Sequence, residues 1–281
     1  MAISLLNNIT SLEAQNQLSQ TDASLQNVLV QLSSGSRLNS GADDPAGLSI
    51  SNSLTADVAV LNQASNNANE GIGLLQTADG SLGQVTNLLD RAVTMATEAA
   101  NGGLTTSQMG ALDNEFQSIK AEIDRIGSQT TFNGSSVFTS STTSIFLGSA
   151  ANSIGVTIGT LSSNGLGIST MAAGSTDFST DTINLTSTSN AATALTDLTQ
   201  AVSTVAQDRG TLGATLNRLT AAQNVITNQV TNLTAANNLI QSANIPQDVT
   251  EESQLSVLEQ TGVSALTQAN QSTQNILRLF Q

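Results

Sequence analysis

The sequence predicts a mainly α protein: long antiparallel heptad-patterned helices forming a rod, plus a terminal helix pair, with a small β/loop segment between the rods. Three observations predict it. Apolar residues recur at alternating spacings of four and three over two long stretches. Both prolines, Pro45 and Pro246, lie at breaks between such stretches rather than inside them. The residues between the stretches are mostly Ser, Thr, Gly and Asn, with short period-two runs.

The first helix is weak. Leu18, Leu25 and Leu32 stand seven apart, with Ala14, Thr21 and Val28 between them. It should stop at SSGSRLN, because Gly35 and Gly41 bracket a stretch with no apolar period. The next motif, RLNSGADDPAGLSI at 37–50, restarts the chain firmly. The Asp44 carboxylate can accept orphan backbone N–H groups and Pro45 suits the first helical position, so a helix is expected from Pro45. Gly41 and the other glycines ahead of it make this segment a hinge, and Pro246 marks the corresponding joint on the returning chain.

From Leu54 the 4-3 pattern holds through Val58, Leu61, Ser65, Ala68, Ile72, Leu75, Asp79, Leu82, Thr86, Leu89, Val93, Ala96 and Ala100. At 1.5 Å per residue this is a rod roughly 70 Å long. Gly102 and Gly103 stop it. A shorter helix follows on Met109, Leu112, Phe116, Ile119, Ile123 and Ile126, ending at Gly127 and folding back on the first. The pattern returns from Leu195 to Ile240 as a second rod. The last helix, on Leu255, Leu258, Gly262, Ala265, Ala269, Ser272, Ile276 and Leu279, has mostly small seam residues. Burial stabilises by roughly 25 cal/mol per Å² of apolar surface, so a lone pair of terminal helices is marginal and needs neighbours. Between the rods, Ile145 to Leu147 and Ile154, Val156 and Ile158 read as short strands; by composition alone the segment also reads as a partly disordered linker. Its exposed hydroxyls could carry O-linked sugars.

The expected organisation is therefore 1–34 with 249–281 as an inner terminal-helix domain, 35–44 with 241–248 as connecting spokes, 45–129 with 190–240 as a helical rod domain, and 130–189 as its short β/loop part.

Composition narrows the function. The 281 residues exceed one domain of about 100 to 200 residues. Aromatics are 2%, and Trp, Tyr, His and Cys are absent, so cores must be built from Ala, Leu, Val and Ile. Without histidine or cysteine the usual neutral-pH base, the commonest transition-metal ligand and thiolate chemistry are missing. What remains for an enzyme is carboxylate chemistry at Asp43 and Asp44, or oxygen-ligated metal; helix capping explains those aspartates better. No catalytic residue, cofactor or metal is expected. Seven basic residues face 21 acidic ones, a formal net charge of -14, which repels nucleic acid. No run of 18 apolar residues suggests membrane insertion, and MAISLLNNITSLEAQNQ lacks the basic and apolar blocks of a cleavable signal, so a secreted chain would leave by another route.

LSSGSRLNSGADDPAGLSI at 32–50, NEGIGLLQTADGSL at 69–82, EIDRIGSQTTFNG at 122–134, GTLGATLNR from Gly210 and NILRLF at 275–280 closely resemble the bacterial flagellin family, over about residues 1–138 and 190–281. The resemblance implies a subunit that self-assembles into the flagellar filament for motility, is exported unfolded by the flagellar type III apparatus, and resides outside the cell. It implies a short form lacking the large outer variable domains. Its partners would be further copies, the export apparatus and its chaperone, the hook-associated junction and cap proteins, and Toll-like receptor 5. On that reading Leu5, Ile9, Leu12, Leu18, Leu25, Ile276, Leu277, Leu279 and Phe280 pack the filament core, the alternative being ordinary helix-pair burial. Arg91 and Glu115 match the receptor contact, with Met95 standing where many recognised members carry a leucine; the alternative is a solvated ion pair worth at most about 1 kcal/mol. Two other functions stay open: a hook-filament junction protein of the same axial family, and a secreted adhesin.

Overall fold

In the computed structural model, which describes residues 8–148, 152–163, 165–166 and 183–279, the elements run α1 (Ile9–Ser34), α2 (Pro45–Ala100), α3 (Thr106–Gln129), β1 (Thr131–Phe132), β2 (Ser135–Ser136), β3 (Thr142–Phe146), β4 (Ser153–Thr157), α4 (Thr188–Gln241) and α5 (Ile245–Leu279). The strands form two antiparallel pairs, β1 with β2 and β3 with β4. The chain divides into two units, 1–58 with 231–281 and 59–230, so the division falls inside α2 and α4 rather than at the glycine-rich breaks.

The larger unit, 59–230, holds nearly all of the core. Along α2 the buried positions in this unit are Ala64, Ala68, Gly71, Leu75, Ala78, Leu82, Val85, Leu89, Ala92, Ala96 and Ala99, with Met95 buried beside the line they form. This too is a 4-3 pattern, but it coincides with the expected seam only at Ala68, Leu75, Leu82, Leu89 and Ala96. The other half of the seam lies one residue earlier than expected, on small residues; Ile72 and Val93 flank it, half-buried. Small residues belong at the deepest line because they let other backbones approach, while larger ones fit the shoulders.

Two polar pairs set α4 antiparallel to α2 in this unit: Arg209 Nε donates to Asp79 Oδ1 at 2.8 Å, and Gln223 Nε2 donates to Asn69 Oδ1 at 2.7 Å. Asp79, expected in the seam, instead sits at its edge as the anion of that pair. On α4, Ala191, Ala194, Leu198, Ala201 and Val205 are buried at 3-4 spacing, and beyond Val205 only every seventh residue: Leu212, Leu219 and Ile226. The change follows from cover. α3 folds back along α2, with a capping box between Thr105 and Gln108 starting it, Arg91 Nε bonded to Glu115 Oε1 near its middle and Ser81 Oγ 3.3 Å from Thr130 Oγ1 at its end.

α3 also grips the chain that leads into α4. Asp113 Oδ1 accepts from Leu185 N at 2.7 Å, and Gln117 Nε2 and Lys120 Nζ donate to the Ile183 carbonyl at 3.3 and 3.4 Å. Lys120 is buried, with its ammonium 5.6 Å from the centre of the Phe116 ring. The helix does not end at Gly127 as expected; it runs to Gln129, and Gly127 is a packing site, where a Cβ would overlap the Leu161 carbonyl oxygen and lie 2.8 Å from its carbonyl carbon.

The expected β/loop segment is present as two hairpins. Asn133 and Gly134 both have positive φ, 50° and 79°, the two-residue turn that matches strand twist. β3 and β4 alternate, burying Ile145, Ile154 and Val156. Glycines in NEGIG receive both hairpins: Ile145 packs on Gly71, where a Cβ would strike its Cδ1, and the Phe132 ring lies 3.3 Å from where a Cβ of Gly73 would be. Residues 167–182 of the Ser/Thr-rich middle lie outside the described residues.

One carboxylate in this unit is poorly placed. Asp197 Oδ2, on α4, is buried without a hydrogen-bond partner, and burial raises its pKa. A raised carboxylate pKa means a penalty fully present above the folded pKa and absent below the unfolded value of about 3.9. Asp197→Asn is therefore expected to raise the melting temperature of this unit by about 2 to 4 °C at pH 7. The gain should fade as the pH falls through about 4; a calorimetric gain that is constant with pH would contradict it.

Candidate functional site

The smaller unit, 1–58 with 231–281, is built differently. α1 and α5 pair antiparallel: Asn8 Nδ2 donates to the Ala269 carbonyl at 3.2 Å, Ser11 Oγ to Asn270 Oδ1 at 2.9 Å, and Leu18 Cδ1 lies 3.2 Å from where a Cβ of Gly262 would be. At the other end Ala243 N donates to Gly35 O at 3.1 Å and Arg37 N to Gln241 O at 2.7 Å. A small polar cluster joins the first turns of α2 to the last of α4, with Ser51 Oγ donating to Asn237 Oδ1 at 2.7 Å and Asn237 Nδ2 to Thr55 Oγ1 at 3.2 Å.

The DDP motif divides into two caps. Asp44 Oδ1 accepts from Ala46 N at 3.0 Å and Gly47 N at 2.9 Å, starting α2 at Pro45 as expected. Gly47 makes room for it, since a Cβ there would lie 2.5 Å from Asp44 Oδ2 and 3.1 Å from Leu38 Cδ1. Asp43 Oδ2 instead accepts from Ser40 N at 2.8 Å and Asn39 N at 3.0 Å, closing the turn ahead of the helix. Gly35 ends α1 in the left-handed conformation, φ 68°, with its N–H on Gln31 O. Gly41 is not among the positive-φ glycines, so the turn's shape rests on Asp43 more than on Gly41. The returning break is shorter than the expected 241–248: α4 runs to Gln241, α5 begins at Ile245, and Pro246 sits in its first turn, where a missing N–H costs nothing.

The Ser40 N–H, then that of Asn39, holds the Asp43 carboxyl below its ordinary pKa. A depressed carboxylate pKa contributes stability present above the unfolded value of about 3.9 and lost as pH falls through the folded value. Amide exchange at Asn39 and Ser40 should accordingly lose protection in that acid window, and Asp43→Ala should abolish the step; identical pH profiles for the two proteins would refute it.

Burial is sparse in this unit. Of the buried hydrophobic side chains among the described residues, only Val28 and Leu38 belong to it. Eleven of the fourteen exposed large hydrophobics do: Ile9, Leu12, Leu29, Val30, Ile50, Leu239, Ile245, Val249, Val257, Leu258 and Val263. Ile9 and Leu12 are 61% and 59% exposed, Leu18 and Leu25 half-buried. The backbone at Ile276, Leu277 and Leu279 is helical while their side chains, like all of Leu5 and Phe280, lie outside the described residues. Leu29, Val30, Val249, Val257 and Val263 escaped the sequence reading because they lie off the apolar seam, which selects for burial within the chain.

In the larger unit Arg91 and Glu115 are exposed and paired at 2.8 Å, whereas Met95 is buried in the core. A groove of about 470 Å³ beside the hairpins is lined by Asn67, Leu74, Phe132 and Ile145 among others, and Glu70 is its one titratable group. A single carboxylate has no partner for acid–base work. Among the described residues no helix is long and apolar enough to cross a membrane.

Among the described residues, a chain whose larger unit holds nearly all the buried apolar side chains, and whose terminal helices leave many of theirs exposed, has the character of a helical structural subunit. Residues 5–143 match the model of the bacterial flagellin N-terminal helical region and residues 195–280 that of the bacterial flagellin C-terminal helical region; the chain belongs to the bacterial flagellin family. It is 32% identical to a flagellin of Halalkalibacterium halodurans over 91% of this chain and 92% of that one, and 30% identical to a flagellin of Bacillus subtilis over 98% of each. It is 30% identical, again over 98% of each, to the flagellar filament 33 kDa core protein of Treponema phagedenis. The crystal structure of Bacillus cereus flagellin matches with 32% identity and a TM-score of 0.48, covering 61% of this chain and 94% of that one. Membership makes the chain a structural subunit of the extracellular flagellar filament, not an enzyme.

Proposed function

We propose that α1 and α5 are the segments through which copies of the chain join into the filament core, with Ile9, Leu12, Leu18 and Leu25 at the contact and Leu5, Ile276, Leu277, Leu279 and Phe280 extending it toward the termini. The observation that carries this reading is the contrast among the described residues of the smaller unit: two buried hydrophobic side chains against eleven large exposed ones. Fully burying such a side chain stabilises by about 1.5 to 3 kcal/mol, so a helix pair that is marginal alone gains its stability from neighbouring copies. On the same reading the segments around Gly41, Asp44, Pro45 and Pro246 act as joints that let the pair adopt the packing the filament requires. Removing the residues after Asp248 tests it: the expected product is a folded monomer that keeps most of its helix and does not polymerise. Filaments of the truncated chain in electron micrographs would overturn the assignment.

The family membership supports, as further partners, the flagellar export apparatus and its chaperone and the hook-associated junction and cap proteins. Toll-like receptor 5 is a further proposed partner, favoured by the exposure of Arg91 and Glu115 on adjacent helices; Met95, buried in the core, offers it no exposed side chain. A reporter assay in which purified monomer evokes no response would remove it.

A further inference from the structure

With 21 acidic and seven basic residues, copies of this chain repel wherever their surfaces meet without compensation. Arg91 pairs with Glu115, Arg125 with Glu122 and Arg209 with Asp79. Arg37 donates to the Ile240 carbonyl at 3.2 Å, and Lys120 is buried against Phe116 and Ile183. The side chain of Arg278 lies outside the described residues. Arg218 remains, exposed and without a hydrogen bond or ion pair among the described residues.

Its surroundings on α4 are unusual for a charged residue. The neighbours three and four positions away, Ala214, Thr215, Ala221 and Ala222, carry no charge, so no ion pair within the helix is available. Thr211, Ala214, Ala221 and Val225 complete an exposed 4-3 stripe with it, about 120° around the helix from the line of the buried Leu212, Leu219 and Ile226. Val225 is one of three exposed large hydrophobics among the described residues of this unit. Small side chains permit a close approach, Val225 favours a dry one, and the lone guanidinium needs an anion.

We propose that this α4 face docks against a second copy of the chain, with Arg218 paired to a carboxylate of that neighbour. The occupant follows from charge complementarity: each copy presents exposed carboxylates with no recorded partner, Asp57, Glu70, Asp90, Glu98 and Glu251 among them, and one described guanidinium equally free. This inference rests on the reading that the chain polymerises.

The test uses a property of the sequence. Lys120 is the chain's one lysine and is buried, so Arg218→Lys supplies a single exposed ammonium besides the amino terminus. Filaments grown from normal and nitrogen-15-labelled Arg218→Lys subunits, treated with a carbodiimide, are expected to give mixed-isotope cross-linked peptides joining position 218 to a carboxylate, and the peptide identifies which. Filaments that yield only same-isotope links, or none at position 218, overturn the inference. Failure of the unsubstituted protein to polymerise under the same conditions would instead overturn the reading beneath it. Independently, Arg218→Glu should leave the monomer's melting unchanged and raise the critical concentration for assembly about tenfold at low salt. That difference should shrink near 1 M salt, where the Debye length is about 3 Å; an unchanged critical concentration overturns the inference.

Discussion

Gly127→Ala is expected to lower the melting temperature of the larger unit by about 5 to 10 °C, a loss of about 2 to 3 kcal/mol. In an open helix the same change would stabilise by up to about 1 kcal/mol, because alanine is the better helix former. Here the added methyl would occupy the position of the Leu161 carbonyl oxygen, which is backbone and cannot rotate aside. The loop is held against α3 from the neighbouring turn, where Asp124 Oδ1 accepts from Ser163 N at 2.7 Å and Oδ2 from Ser163 Oγ at 3.0 Å, so relief of the clash also strains that contact. The control is Gly110→Ala, in the same helix with open space around it, which should be neutral or stabilising. Equal melting temperatures for the Gly127 variant and the unsubstituted protein would show that the 161–163 segment does not pack on α3 as described.

Leu12→Asp combined with Val257→Asp should abolish filament formation while shifting the monomer's melting temperature only slightly. Both side chains are 59% exposed in the monomer, and surface substitutions of this kind usually change stability by less than about 0.5 kcal/mol each, with a small added cost for aspartate in a helix. In the assembled state the balance reverses. Each substitution forfeits about 1.5 to 3 kcal/mol of apolar burial, and each would leave a carboxylate in a contact between copies, where an unpaired charge costs several kcal/mol more. Sedimentation of the double variant with normal pelleting would refute the assignment of α1 and α5 to the subunit contact; a collapsed monomer melting curve would show instead that these side chains support the monomer.

Much of the fold was legible because it depends on local rules. The cap at Asp44 and Pro45, the stop at Gly35 and the alternation in β3 and β4 each involve residues within a few positions of one another. The seam of α2 was legible only in half: periodicity gave its pitch, but Ile72 and Val93 looked like better core residues than Gly71 and Ala92. Hydrophobicity ranks side chains by size, whereas depth in this core is set by how closely β3 and the neighbouring helices approach. The proposed contact surface was legible through the weak terminal helices, though only at its seam positions. The grip of Asp113, Gln117 and Lys120 on Ile183 and Leu185, and the docking of Leu161 on Gly127, carried no local signal, since each joins residues tens of positions apart.

By itself, then, the amino-acid sequence determined the helical class, the places where helices start and stop, the absence of histidine and cysteine chemistry, and membership of a filament-forming family. Those properties follow from composition, period and capping, which act over a turn or two of chain. Only the tertiary structure decided which face of α2 is deepest, why Gly71, Gly73 and Gly127 cannot carry side chains without displacing a neighbour, how Asp43 and Asp44 divide their work, and which cation is left free on α4. Each of these depends on what the rest of the chain brings within a few ångströms, and short-range exclusion and hydrogen bonding act only at that distance.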